Sequence, residues 1–294
     1  MTRAVVFAYH DVGVRCLGAL LEAGVEVPLV ISHRDDPGET IFFGSVAKLA
    51  AARGIECICP DDPNTPAEIA RVCGLKADFL FSFYYRRMLR PELLACAARG
   101  AFNMHGSLLP KYRGRAPVNW AVLHGERETG ATLHEMVAKP DAGRIVDQEA
   151  VAIGPEDTAA QVFIRVTAAA EVVLRRALPG LIDGSAVLRA QNLAQGSYFG
   201  GRKPEDGRID WHMSAQAVHN LVRAVAPPYP GAFTTLRGME LKILKTSLIQ
   251  GKIFPAAPPA MFVAPGATHV IAVCADSSAL AVTAMELEGK PFTT

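Results

Sequence analysis

The stretch AVVFAYHDVGVRCLGALLEAGVEVPLVIS, residues 4–32, reads as strand, helix, strand. AVVFAY (4–9) and VEVPLVIS (25–32) are apolar runs of strand length. Between them VRCLGALLEAG (14–24) carries apolar residues three and four apart and ends at a glycine, the pattern of an amphipathic helix. The alternation continues outward. IECICP (55–60), DFLFSFYY (78–85) and GAFNMH (100–105) read as strands, and FFGSVAKLAAARG (42–54), PAEIARVCGL (66–75) and RPELLACAARG (90–100) as helices. Strand–helix alternation at this spacing predicts an α/β fold with a doubly wound, mainly parallel sheet. Ligands of such a sheet gather at the carboxyl ends of its strands.

The first strand–helix turn, AYHDVGVRCLG, lacks both the G-x-G-x-x-G spacing and the Lys-Ser/Thr of a phosphate loop, so neither a dinucleotide cofactor nor an ATP-driven step is supported. Farther on, ATLHEMVA (131–138) and GRIVDQEAVAI (143–153) read as two strands joined across KPDAG, followed by a helix over 157–178. Residues 1–195 are thus expected to form the main domain and 196–210 a linker. Residues 211–294 hold one short helix, SAQAVHNLVRAVA (214–226), and short strands at 231–237, 240–249, 269–275 and 280–287. Short strands with turn signals predict a small OB-like β-barrel domain.

Composition narrows the classes of function. Half of the 294 residues are hydrophobic and a fifth charged, a globular balance, and no apolar run approaches bilayer length. The N-terminus has no signal-peptide anatomy, so a cytoplasmic location is expected. Six cysteines are scattered without a C-x-x-C pair, which argues against zinc ribbons and for reduced thiols, with Cys57 and Cys59 on one strand face. A net charge of +1 favours a small substrate over nucleic acid.

The densest polar stretch is FNMHGSLLPKYRGRAPVNW, 102–120. On a strand, Asn103 and His105 point the same way with Cα atoms about 6.6 Å apart, while Phe102 and Met104 face a helix layer. An amide donor and an imidazole so placed can flank one reacting carbon; the same pattern also suits a strand end where Asn starts a turn. Asp141, on a loop restricted by Pro140 and released by Gly143, suits the orienting of a histidine, and is equally a common turn residue. Ser107 lacks a nucleophile elbow and reads as a turn residue. His124 and His134 sit in apolar patterns and read as satisfied core or surface histidines.

FNMHGSLLPKYRGRAPVNWAVLHGE followed by ETGATLHEMVAKPDAGRIV resembles the formyltransferases that use 10-formyltetrahydrofolate, over nearly the whole chain. Within them, VVFAYHDVG, PGETIFFGSVAKLAAARGI, FSFYYRRML and RAVAPPYPGAF are most similar to the branch acting on UDP-4-amino-4-deoxy-L-arabinose, a step of lipid A modification linked to polymyxin resistance. The resemblance implies Asn103, His105 and Asp141 as the catalytic set, with no metal. It implies a folate ring against the backbone of Arg87, Met88 and Leu89 and against Val137, Ala138, Lys139, Pro140 and Asp141, with Arg115 nearby. Lys111 and Arg113 are candidate anchors for the folate tail or a nucleotide pyrophosphate. Tyr9, His10 and Asp11 at the first strand's end, and Arg223 and Tyr229 in the C-terminal part, are candidate sugar-nucleotide contacts. Other nucleotide-linked amino sugars, methionyl-tRNA, and a non-catalytic folate-binding role are the alternatives. A UDP-glucuronate decarboxylase, fused to this activity in some bacteria, is the protein partner the resemblance suggests.

Overall fold

The computed structural model describes residues 1–251, 254, 259–263 and 269–292. The chain forms two compact units. The first holds Met1–Pro117, Thr129–Val151 and Ile164–Gly200; the second holds Val118–Glu128, Ala152–Phe163 and Gly201–Thr294.

In the first half of the chain, strand and helix alternate in the order β1 (Arg3–Ala8), α1 (His10–Glu22), β2 (Glu26–Ile31), α2 (Val46–Ala52), β3 (Glu56–Ile58), α3 (Pro66–Gly74), β4 (Phe79–Phe83), α4 (Pro91–Leu94) and β5 (Gly100–His105). Then come β6 (Arg113–Gly114), α5 (Pro117–Leu123), β7 (Glu128–Glu135), β8 (Ile145–Ala152), the long α6 (Ala159–Asp183) and β9 (Tyr198–Phe199). Seven strands make one sheet in the order β3-β2-β1-β4-β5-β7-β8. The first five are parallel, and β7 runs antiparallel to β5. This is the doubly wound sheet that the alternation predicts.

Its centre is the reason it holds. Every residue of β4, FLFSF, is buried, as expected for a parallel strand covered on both faces. Phe79 and Phe81 meet Phe102 from β5 on one side, while Leu80 joins Phe7, Leu29, Ile31 and Leu93 on the other. Helix starts follow their capping signals: Thr65 Oγ1 accepts from the Glu68 amide ahead of Pro66, and Ser45 Oγ accepts from the Lys48 amide.

Three expectations shift. The helix read from residue 42 begins only at Val46, because Asp11 Oδ1 takes the Gly44 amide (2.7 Å) and holds the preceding residues as a loop. The helix read over 90–100 is one turn long. Beyond it the amides of Ala98 and Arg99 bond Ala77 and Asp78, which leads the chain into β5. The expectation of six free thiols is corrected, since Cys73 on α3 and Cys96 just after α4 form a disulfide, their Cα atoms 4.6 Å apart. Cys57 lies on β3 and Cys59 just past its end; both are free and half-buried, and burial pushes the Cys57 thiol up to about 11.

In the second unit, α7 (Ala215–Val225) is capped by Ser214, whose Oγ accepts from the Ala217 amide. Strands β10 (Ala232–Leu236), β11 (Met239–Ile249), β12 (Ala260–Val263), β13 (Val270–Val273), β14 (Ala279–Leu287) and β15 (Lys290–Pro291) form an antiparallel sheet curled into a half-barrel. β12 is a strand that the sequence pattern does not announce. Of the stretch read as a linker, residues 198–199 form β9 and pair with β6, and residues 204–207 form a single 3-10 turn.

Candidate active site

Strand β5 supplies the first two groups. Phe102 and Met104 are buried on one face, and Asn103 and His105 take the other. Antiparallel pairing sets Asn103 opposite His134 and His105 opposite Thr132, so β7 contributes to the same face.

The hydrogen bonds fix the tautomers. His134 Nδ1 lies 2.7 Å from the Glu135 carbonyl, which can only accept, so Nδ1 carries the proton. Its Nε2, 3.1 Å from Asn103 Nδ2, is then the acceptor for the Asn103 amide in the neutral ring. This bond orients the carboxamide and leaves the second N–H of Asn103 for another oxygen. His105 Nε2 donates to the Tyr112 carbonyl at 2.8 Å, so its Nδ1 is the basic nitrogen, and it lies 3.7 Å from Asp141 Oδ1.

Asp141 completes the set. It adopts a left-handed backbone (φ 50°), an unfavourable conformation for a residue with a side chain. Its Oδ1 is also 3.5 Å from His134 Nε2, and its Oδ2 accepts the Gly114 amide at 2.8 Å. Burial alone would raise the Asp141 pKa. As imidazolium, His105 and His134 join the Gly114 N–H in outweighing it and hold the carboxyl well below the usual range.

Strand β6 explains how these groups are held. Along one edge the amides of Arg113 and Arg115 donate to Ser197 and Phe199. Along the other edge, where no strand pairs among the described residues, the side chains of His105 and Asp141 meet the Tyr112 carbonyl and the Gly114 amide. The loop before β6 is pinned by Ser107 Oγ donating to the Lys111 carbonyl (2.6 Å) and by Thr132 Oγ1 donating to the Ser107 carbonyl (2.6 Å). The turn role read for Ser107 is what the structure gives it.

The other predicted residues fall into three places. Arg87, Met88 and Leu89 form the turn after β4. Asn64 Nδ2 donates there to the Met88 carbonyl, Met88 is exposed, and Leu89 is buried. Val137, Ala138 and Lys139 are exposed and Pro140 half-buried on the segment leading to Asp141. Of the basic residues near β6, Lys111 and Arg115 are exposed, whereas Arg113 is only 8% exposed and its Nε has no hydrogen-bond partner. Tyr9, His10 and Asp11 stand at the carboxyl end of β1, two strands from β5.

Arg223 and Tyr229 belong to the second unit and have partners inside it. Arg223, buried, donates to the Asp157 carbonyl (2.8 Å) and to Asn220 Oδ1 (2.7 Å). Burial pushes the Tyr229 phenol up to about 12, against a hydrogen bond with Asn119 that lowers it. Trp211 Nε1 donates to Thr234 Oγ1, also within this unit.

His134 is the site member that the sequence reading passes over. It is a buried histidine with both ring nitrogens occupied, as its apolar surroundings imply, yet its partner is Asn103. The signal lay in pairing β5 with β7 antiparallel, which puts the two residues side by side.

Among the described residues no group of three or more His, Cys, Asp or Glu side chains is placed to hold a metal ion. No helix among them is long and apolar enough to cross a membrane.

The first unit is thus a doubly wound domain that brings an amide, an imidazole and a carboxylate together, and a small β domain follows it in the chain. Residues 13–178 match the formyl transferase family and residues 202–294 the formyl transferase C-terminal domain. The chain belongs to the formyl transferase family.

Among solved structures, the fold is similar to the N-formyltransferase from Helicobacter canadensis in complex with folinic acid and dTDP-3-aminofucose. The TM-score is 0.76 at 21% identity, over 99% of this chain and 100% of that one. It is similar as well to WlaRD, a sugar 3N-formyl transferase solved with dTDP and 5-N-formyl-THF (TM-score 0.75, 21% identity, 99% of each chain). HypX from Aquifex aeolicus in complex with tetrahydrofolic acid matches 99% of this chain over 45% of its own length (TM-score 0.66, 19% identity).

Proposed function

We propose that this formyltransferase moves the formyl group of 10-formyltetrahydrofolate to the primary amine of a nucleotide-linked amino sugar, with UDP-4-amino-4-deoxy-L-arabinose as the acceptor. The observation that carries the reading is the convergence of Asn103, His105 and Asp141, joined by His134, on one strand end.

The chemistry follows from the assigned protons. The amine nitrogen attacks the formyl carbon, and the carbonyl oxygen becomes an oxyanion. The N–H of Asn103 not used by His134 donates to that oxygen; a donor of this kind contributes roughly 10²–10³-fold to kcat. His105 Nδ1 takes the proton released by the amine, and the resulting imidazolium faces the ionised Asp141. The carbon–N10 bond then breaks, and the same proton passes to N10 of the leaving tetrahydrofolate. General acid–base transfer of this kind is worth about 10²–10⁴-fold.

In this reading the folate ring lies along the backbone of Arg87, Met88 and Leu89 and against the Val137–Asp141 segment. Arg115, Arg113 and Lys111 meet the anionic ends of the two substrates. The unsatisfied, buried Nε of Arg113 supports an anion there. A net charge of +1 speaks against tRNA as acceptor. The reading also fits a cytoplasmic enzyme working beside a UDP-glucuronate decarboxylase.

A second acceptor is favoured by a specific finding: the fold's likeness to proteins solved with dTDP-3-aminofucose and dTDP. One assay separates the two. The purified protein is given 10-formyltetrahydrofolate with UDP-aminoarabinose, dTDP-amino sugars or methionyl-tRNA in parallel, and formylated product is measured. Turnover of the UDP sugar is expected. Turnover of a dTDP sugar alone moves the acceptor, and turnover of tRNA alone overturns the reading.

A further inference from the structure

The sheet changes its direction of growth between β1 and β4, and an α/β sheet opens its ligand crevice at such a point. Ala8, Phe83 and Met104 are in register across β1, β4 and β5, so Tyr9-His10, Tyr84 and His105-Gly106 leave the sheet at one level. Neighbouring strands lie about 4.8 Å apart, which sets the end of β1 roughly 10 Å from His105. That distance accommodates a pyranose ring.

Just past each strand at the switch point a residue takes the left-handed region, His10 at φ 66° and Tyr84 at φ 58°. Backbone conformations of this kind concentrate at ligand sites. Here they turn two rings toward each other, with centroids 6.4 Å apart. The His10 ring is stacked on Phe43 at 3.8 Å and meets Phe42 edge-on at 5.4 Å. Asp11 Oδ1 holds the Gly44 amide and so pins that loop beside the ring. The Tyr84 hydroxyl lies directly against Gly106, the residue after His105, where any β-carbon would collide with it.

The donors offered by His10 and Tyr84 are uncharged, and the Asp11 carboxylate 3.9 Å from His10 Nδ1 is of the wrong sign for a phosphate. His10 Nδ1 accepts the Asp11 amide at 2.9 Å, so the ring proton sits on Nε2, a donor. Burial lowers the His10 pKa to about 4, which keeps the ring uncharged at working pH. Arg86, the cation beside Tyr9, is spent on a two-bond pair with Glu39 (2.6 and 2.7 Å). Neutral N–H and O–H groups among aromatic faces suit sugar hydroxyls, not a diphosphate.

We propose that His10 and Tyr84, with Phe42 and Phe43 behind the imidazole, form the subsite for the pyranose ring of the acceptor and aim its amine toward His105. This rests on the amino-sugar reading above.

The test uses His10→Phe, which keeps a ring against Phe43, and Tyr84→Phe, which removes only the hydroxyl. Three quantities are measured in each: KM for the nucleotide sugar at saturating folate, the Kd of 5-formyltetrahydrofolate by calorimetry, and the Ki of UDP as a competitor. Loss of one ligand hydrogen bond predicts a rise in sugar KM of about tenfold, with the folate Kd and the UDP Ki changed by less than about twofold. If UDP Ki weakens in step with KM, the contact is to the nucleotide and the proposal fails. Unchanged KM in a folded variant also overturns it. Should His10→Phe not fold, Tyr84→Phe decides. If the unmodified protein turns over no amino sugar, the parent reading has failed and the subsite goes with it; normal turnover with unmoved variants condemns the subsite alone.

Discussion

Replacing Gly143 by alanine tests whether the two strands that carry the site are as tightly coupled as their contacts imply. Gly143 lies two residues past Asp141, in the turn between β7 and β8. A β-carbon there would run into the carbonyl oxygen of Glu135 and stand 2.8 Å from its carbonyl carbon. Ordinary contact begins at about 3.5 Å, so the turn and the end of β7 must separate by roughly 1 Å. Both sides of that gap matter. The Glu135 carbonyl fixes the His134 tautomer, and the turn carries Asp141 to Gly114 and His105. Gln191 Nε2 also donates to the Gly143 and Asp141 carbonyls, so the turn has little freedom to move outward alone. A 1 Å misplacement of catalytic groups costs about 10²-fold in rate, and overpacking costs about 1–3 kcal/mol of stability. Formyl transfer is measured by initial rates at saturating substrates, with thermal unfolding recorded in parallel. The expected result is a folded protein whose kcat is down by about two orders of magnitude. A folded variant with kcat within about threefold of the parent would refute the coupling.

Three further outcomes follow from the same geometry. Asn103→Ala should lower kcat by roughly 10²–10³-fold with the folate Kd nearly unchanged, because the amide acts on the oxyanion and not on the bound ground state. His134→Phe should lower kcat by releasing the Asn103 amide, and in the double variant with Asn103→Ala the two losses should fall short of additive; full additivity would remove His134 from the positioning of Asn103. Asp141 has a folded pKa below its unfolded value of about 3.9, so its contribution to stability is complete above pH 4 and is lost as pH falls through the folded value. Urea midpoints of the parent and Asp141→Asn should therefore differ most near neutrality and converge below about pH 4, and a constant gap down to pH 3 would contradict that sign.

Much of the fold is written locally. The periods of two and 3.6 in residues 4–105 mark five strands and most of their helices because each element buries one face or stripe against its neighbours. Thr65-Pro66 and Ser214 announce helix starts by groups that satisfy orphan amides in place. Asn103 and His105 are two apart on a strand, so their common direction is also a local fact. What sequence order leaves undetermined is everything that depends on which strands lie side by side. β7 enters antiparallel beside β5, and this alone turns His134 from a core histidine into the partner of Asn103. One edge of β6 receives His105 and Asp141 only because β9, more than 80 residues farther on, has taken the other edge. The Cys73–Cys96 bridge and the meeting of His10 with Tyr84 have the same origin, contacts across elements. Short-range sterics and hydrophobic period fix an element and its faces; the backbone hydrogen bonds and packing that join elements act between residues the sequence keeps far apart, and those decide which side chains share a site.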